Sequence, residues 1–286
     1  MSALSLIVVG ANGRVGRLLI PAFRALGAAV GLTQRDSRAL TPDMAEVTWA
    51  PLDGPAPLAA FIAARGGPPK AMLVLAGSTP GTGADMAVNI AVAQACTAAA
   101  RAVGIGRILL ASSSAIYGHG RATPWRETEA VAPASAYGHA KLEMERRCAG
   151  PDVCALRIGN VAGADALLTN PRRPLVLDQF PDGNGPIRSY IGPQSLARVL
   201  VTLAETPLTL PPVLNIGAPL PVDMADLARA AGIPFDWHPA PPGATARLTL
   251  DLGHLETLVT FQDRDSTAAA MIAQWRHCQT QPEPPS

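Results

Sequence analysis

Tyr137 and Lys141 stand four residues apart in SAYGHAK, residues 135–141, in a chain with three tyrosines and two lysines. Twenty-one of its twenty-three basic side chains are arginine, so a lysine at this position is conspicuous. On a helix, residues i and i+4 share a face, and phenol and ammonium can point into one cleft. A phenol with an ordinary pKa of about 10 is a poor acid–base at neutral pH, and a nearby ammonium favours the phenolate. Lysine also carries a compact charge on a flexible stem that reaches a cofactor ribose, where the wide guanidinium fork of arginine does not easily substitute. A hydroxyl at the end of a preceding strand would complete the set. RILLASSSAIYG ends an apolar run in Ser112, Ser113 and Ser114, and a serine there could hydrogen-bond a substrate carbonyl or hydroxyl. The alternatives are a solvated helix lysine and a serine-rich loop.

A second pattern lies at the start of the chain. IVVGANGRVGRLL sets Gly10, Gly13 and Gly16 between an apolar strand and an amphipathic helix. The first glycine permits a tight turn, the second lets backbone approach a pyrophosphate, and the third lets helix and strand pack closely, with the helix N-terminus favouring the anion. An ordinary βα turn is the competing interpretation. In an NAD-specific site an acid normally ends the second strand and binds the ribose 2′-hydroxyl. AAVGLTQRDSRAL has Thr33 there, followed by Gln34 and Arg35. A planar cation suits a 2′-phosphate, which favours NADP. NAD stays open, because Asp36 could serve the ribose with a small register shift.

These residues need a scaffold. Short, doubly apolar runs (LSLIVVG, AMLVLAG, RILLASSS, VCALRIGNV) alternate with longer helical stretches up to about residue 160. That order predicts a parallel sheet covered on both faces, a doubly wound α/β fold of Rossmann type. Beyond it, TNPRRPLVLDQFPDGNGP and GIPFDWHPAPPGATAR are rich in Pro and Gly and read as loops around small elements. The helix PQSLARVLVTLAE, the strand VLNIG and a final helix TAAAMIAQWRHC stand out among them. The expected organisation is a nucleotide-binding domain over 1–160 and a small C-terminal substrate lobe over 161–278. Elements at about 187–218 return to the first domain, and a disordered tail occupies 279–286.

The 286 residues are 48% hydrophobic and carry a net charge of +1 with no block of like charge, which argues against a nucleic-acid surface. No apolar run is long enough to span a membrane, and the N-terminus lacks the basic start of a signal peptide. The four cysteines and five histidines show no metal-ligand spacing, so no metal is expected, and cytoplasmic thiols are the simplest interpretation.

With GANGRVG, SSSAIYG, YGHAK and LRIGNVAG together, the chain resembles the extended short-chain dehydrogenase/reductase family, the NAD(P)-dependent epimerase/dehydratase group acting on nucleotide sugars. LNIGAP and LDLGHLETLVTF resemble that family's returning strand and closing segment. The resemblance implies Ser113, four before Tyr117, as the catalytic hydroxyl, with Tyr137 as acid–base and Lys141 as its partner. It implies that Asn89 in MAVNIAVAQ supports a water-linked proton path. Gly10, Asn12, Gly13, Arg14, Val15, Gly16, Arg35, Leu75, Ala76, Tyr137 and Lys141 would contact the cofactor. Asn160 and Arg188 would meet the substrate diphosphate, and the family's habit implies a homodimer through the Ala84–Ala102 helix and the one bearing Tyr137.

The chain departs from the family pattern at Gly192–Ser195, where GPQS replaces a His–Val–Asp–Asp-like run. It departs again at WAPLDG, which leaves Asp53 without its usual role, and in its short C-terminal lobe. The expected function is an NAD(P)-dependent epimerase, dehydratase or reductase of a nucleotide sugar. The rivals are a reductase of a non-nucleotide carbonyl compound and an NADP-sensing protein without catalysis.

Overall fold

A computed structural model describes residues 4–34, 44–77 and 86–279. Seven parallel strands form the central sheet: β1 (Leu6–Val9), β2 (Val30–Gln34), β3 (Ala45–Thr48), β4 (Ala71–Val74), β5 (Ile108–Ser113), β6 (Val153–Ile158) and, much later, β11 (Val213–Ile216). Their spatial order is β11-β6-β5-β4-β1-β2-β3. The order reverses between β1 and β4, and in such a sheet ligands lie outside the carboxyl ends of the strands at that crevice.

Alternation along each strand explains why the sheet is covered on both sides. Leu6 and Val8 of β1, Leu73 of β4 and Leu109 of β5 join one buried cluster with α1 (Arg14–Ala25) and α5 (Pro193–Glu205). Ile7, Val9, Met72, Val74 and Leu110 face the opposite cluster with α2 (Ala56–Ala64), α3 (Val88–Ala102) and α4 (Ala136–Cys148). A strand buried on both faces has no polar side to mark its orientation, which is why these runs read as continuous apolar stretches.

A third cluster forms the C-terminal lobe. Asn160–Val161 (β7) pairs with Tyr190–Ile191 (β10), and Leu175–Gln179 (β8) pairs with Phe235–Pro239 (β13). Ile187–Arg188 (β9) lies between Val222–Asp223 (β12) and Arg247–Leu248 (β14). The helices Met224–Ala231 (α6) and Ala268–Gln279 (α8) cover them, while Gly253–Leu258 (α7) packs beside β11. Both Pro/Gly-rich stretches therefore contain strands, short ones stabilised by pairing with each other rather than by local propensity. No helix among the described residues is long and apolar enough to cross a membrane. The tail beyond Gln279 and the start of the Ala-rich helix before Met86 lie outside the described residues.

Candidate active site

β1 gives way to the glycine turn at Gly10, whose φ of +90° is open to glycine and strained for other residues. A Cβ there would sit 2.5 Å from the Ala76 nitrogen. The carbonyl of Val9 accepts from the nitrogens of both Leu75 and Ala76, at 2.8 and 3.0 Å, so the ends of β1 and β4 meet beneath the turn. A Cβ on Gly16 would be 2.4 Å from the Ala11 oxygen, which fixes how closely α1 packs on the turn. Gly13 is the N-cap of α1 and offers no side-chain cap, leaving the helix's first N–H groups available to an anion. Asn12 Oδ1 is buried without a hydrogen-bond partner among the described residues. A glycine cradle, uncapped helix nitrogens and an orphaned amide oxygen fit a dinucleotide diphosphate. Val15 is half-buried and Arg14 exposed on the same turn.

Thr33 is buried near the end of β2. Arg35 and Asp36, on which the choice between NADP and NAD turns, lie outside the described residues. Asp53 is exposed at the end of a short 3-10 turn.

The catalytic candidates come together at the carboxyl end of β5. Ser113 is its last residue, and its Oγ accepts from the Ala115 nitrogen at 3.2 Å, capping the 3-10 turn that follows. Ser135 caps α4 in the same way, accepting from the Gly138 nitrogen at 3.1 Å, and this places Tyr137 in the helix's first turn. Gly138 lets α4 approach closely: a Cβ there would be 2.6 Å from the Ala115 oxygen. The Tyr137 phenol lies beside the Ser113 hydroxyl. Burial pushes the Tyr137 phenol up, opposed by that hydroxyl and by the positive charge of Arg14.

Lys141 lies one turn further along α4, beside the Tyr137 ring. Its Nζ donates to the Ala111 carbonyl at 2.7 Å and stands 5.8 Å from the centroid of the Tyr137 ring. Burial brings its ammonium down to about 8, and Glu145 opposes that. Ser113 and Arg14 are the groups that pull the Tyr137 phenol down, and the Lys141 ammonium, beside the Tyr137 ring, is turned toward strand backbone.

Ser112 and Ser114 separate from Ser113 in role. Ser112 is buried and donates to Glu145, whereas Ser114 begins the 3-10 turn. Glu145 in turn holds Arg157 at 2.9 Å, Arg157 donates to the Tyr117 hydroxyl at 3.1 Å, and Tyr117 donates to Asn215 at 2.7 Å. This buried network escaped the sequence reading. Its signals were a glutamate four residues past Lys141 and an arginine inside the otherwise apolar VCALRIG.

Asn89 is fully buried, and its Oδ1 lies 2.3 Å from where a Gly77 Cβ would be. It packs against the turn after β4. Asn160 pairs in register with Tyr190, whose hydroxyl donates to Asp165 at 2.7 Å. Arg188 donates to the carbonyls of Ile187 and Thr245 at 2.8 Å each. Asn160 and Arg188 are thereby gathered around Tyr190, with the guanidinium engaged by backbone. At the GPQS departure, Pro193 starts α5 and Ser195 donates to Asp265 at 2.9 Å. Arg198 adds a 2.6 Å bond to the same carboxylate. An acid therefore does stand at the start of α5, supplied from a distant turn.

The sequence matches the model of the NAD dependent epimerase/dehydratase family over residues 6–192. No curated protein matches it. Among solved structures, MoeE5 in complex with UDP-glucuronic acid and NAD superposes with a TM-score of 0.72 at 22% identity, covering 95% of this chain and 98% of that one. A UDP-glucose-4-epimerase from Stenotrophomonas maltophila with bound NAD and formylated UDP-arabinopyranose gives 0.74 at 20%, covering 96% and 98%. TunA, an NAD dependent NDP-hexosamine 5,6-dehydratase, gives 0.71 at 18%, covering 97% and 98%. At these identities the likeness is one of fold.

Proposed function

Because the chain belongs to the NAD-dependent epimerase/dehydratase family, we propose that it is an oxidoreductase acting on a nucleotide sugar, as an epimerase, dehydratase or reductase. The observation that carries this reading is the juxtaposition of Tyr137 and Ser113 at the carboxyl end of β5, on the side of the sheet that also bears the glycine turn. Gly10, Gly13, Gly16 and Asn12 would hold the dinucleotide, with Leu75 and Ala76 closing the turn from β4. When bound, it supplies hydride transfer at the carbon next to the reacting oxygen. Ser113 orients and polarises that oxygen. Tyr137 gives or takes its proton, and Lys141 supplies positive charge to this end of the site.

NADP is the favoured cofactor in this reading, on the cationic Arg35 after β2, although the three structures named above carry NAD or depend on it. A symmetric homodimer through α3 and α4 and a cytoplasmic location belong to the same proposal. Alanine-rich α3 permits close helix approach. One observation favours a second reading, a reductase of a non-nucleotide carbonyl compound: Arg188 spends its hydrogen bonds on backbone carbonyls.

The deciding experiment is a thermal-shift panel of nucleotide sugars and simple ketones, with NADP or NAD present. Stabilisation by a nucleotide sugar beyond that of cofactor alone is expected. Stabilisation by ketones only would favour the second reading, and no response to either cofactor would end both. Equal affinity for NADP and NAD would remove the preference assigned to Arg35, and a monomer by light scattering at micromolar concentration would remove the dimer.

A further inference from the structure

Three residues on one face of α4 grip three successive residues at the end of β5. Tyr137 lies beside Ser113, Lys141 donates to the Ala111 carbonyl, and Glu145 accepts from the Ser112 hydroxyl. Their spacing of i, i+4 and i+8 is one helix stripe, so the two proposed catalytic side chains and the carboxylate form a continuous row. Both Lys141 and Glu145 are more than nine-tenths buried. Glu145 is fixed from behind by Arg157, which pairs in register with Ser112 across β5 and β6.

We propose that Glu145 is a positioning residue for Lys141, holding the ammonium charged and seated against Ala111 while touching neither cofactor nor substrate. This rests on the oxidoreductase reading for its consequence and, for its mechanism, on the shared helix stripe and the burial of both groups.

The physical argument starts from burial. An ammonium removed from water loses its proton more readily unless an opposite charge stands near it. The ionisable groups on the elements packed around Lys141 are Tyr137, Glu145 and Cys148 on its own helix, Cys96 on α3, Tyr117 after β5 and Cys154 and Arg157 on β6, while His139, Arg146, Arg147 and Arg101 are exposed and Glu143 is paired with Arg147. Burial raises Cys96, Cys148, Cys154 and both tyrosines, so all five are neutral near pH 7. Arg157 is positive and is engaged by Glu145 and Tyr117. Glu145 is the group among them that favours the charged lysine. Its four contacts keep it from turning away: Ser112 on one side, and Arg157 Nε, at 3.2 and 3.3 Å from its two oxygens, with Nη2 on the other.

The test exploits the scarcity that first drew attention to Lys141. With two lysines, protein labelled with ¹³C at the lysine ε-carbon gives two titrating signals, and exposed Lys70 serves as the internal reference. In the full chain, Glu145→Gln keeps the shape and the ability to accept from Ser112 while removing the charge. It should lower the proton affinity of Lys141 on the order of tenfold and leave Lys70 unmoved. Glu145→Asp, which keeps the charge, should restore most of that loss. Should Glu145→Gln not fold, Glu145→Gln/Arg157→Met strands no buried partner and should show a shift in the same direction, smaller because the Arg157 cation is lost as well. Cofactor affinity measured over the same pH range should fall on the alkaline side in step with Lys141. An unmoved Lys141 midpoint in the neutralised variants would overturn the proposal, as would Glu145→Asp behaving like Glu145→Gln. A normal lysine titration in a protein that binds neither NADP nor NAD would sink the oxidoreductase reading instead.

Discussion

Lys141 Nζ lies 2.7 Å from the carbonyl oxygen of Ala111, two residues before Ser113 on β5. The bond ties the helix that carries Tyr137 to the strand that carries its hydroxyl partner, so the lysine sets the separation of the two reacting groups. The slot is narrow, closed on the other side by Met144 Sδ at 3.9 Å. Lys141→Arg should therefore fail as a conservative change. The guanidinium is planar and wider, and it must displace either Met144 or the end of β5. A loss of about 1–3 kcal/mol of stability, weaker cofactor binding and little turnover are expected from denaturant melts, titration and assay. Full activity in Lys141→Arg would show that the scarce lysine was an accident of composition.

The same burial gives a pH signature. Lys141 falls from its ordinary 10.5 to about 8 in the folded protein, so between these values the unfolded chain holds more protons and stability rises with pH. The four buried thiols act in the opposite sense, since Cys96 and Cys154 are pushed up to about 12, Cys278 to about 11, and burial raises Cys148 as well. Comparison with Lys141→Met cancels the thiols. Between pH 7 and 9 the variant should lose roughly 1.4 kcal/mol relative to the parent protein, measured by urea unfolding. A pH-independent difference would mean that the lysine is not desolvated.

Much of this arrangement was legible in the residues themselves. The glycine turn, the strand ending in serines and the tyrosine–lysine pair each carry a local signature, because each depends on backbone freedom or helical spacing. PQSLARVLVTLAE and VLNIG also declared themselves, as an amphipathic helix and a short apolar run, and form α5 and β11. What stayed hidden depends on contacts distant in sequence. Nothing near Ser195 announces that Asp265 will meet it, and the direction of the Lys141 side chain is set by a carbonyl thirty residues away. The strands within the Pro/Gly-rich stretches were equally silent, since β8 and β13 are strands because they pair with each other.

Gly10 offers a direct test of the crossing between β1 and β4. Alanine there meets both a positive φ and a Cβ contact with Ala76 backbone that cannot yield as a flexible side chain would. Gly10→Ala should cost on the order of 3 kcal/mol and abolish binding of either dinucleotide, because relieving the clash opens the turn. Gly183 has a positive φ but nothing within 4 Å of its Cβ position, so Gly183→Ala should show only the smaller backbone cost. Equal losses in the two variants, read by thermal melts and cofactor titration, would contradict this.

Asp265 is the acid that stands in at the start of α5. It is buried, accepts from Ser195 and Arg198, and also from the Gln262 nitrogen at 2.9 Å. Asp265→Ala leaves three donors without their acceptor and should cost about 3–5 kcal/mol, the scale for breaking a buried charge pair. Asp265→Asn keeps one acceptor oxygen and should cost less. Chemical denaturation separates them, and near-equal stability of Asp265→Ala and the parent would show that the turn carrying Asp265 contributes nothing to α5.

The final prediction concerns the phenol. Burial raises Tyr137, while the Ser113 hydroxyl, first, and the Arg14 charge, second, pull it down. Removing either opposing influence leaves burial less balanced, so Ser113→Ala and Arg14→Met should both shift the phenol further up. The alkaline limb of cofactor-saturated turnover would then move to higher pH in both variants, once a substrate is in hand, and further in Ser113→Ala. Turnover itself should fall more in Ser113→Ala, because that variant also loses the donor that polarises the reacting oxygen, a loss of roughly 10²–10³-fold for one such group. Tyr137→Phe should keep cofactor affinity nearly intact and remove most turnover, since the proton-transferring atom is gone and the ring remains. Measuring the three variants across pH with both cofactors separates the assignments. A Tyr137→Phe protein that retains turnover would place the acid–base elsewhere, and an unmoved pH limb in Ser113→Ala would mean that the hydroxyl pair is held apart when the site is occupied.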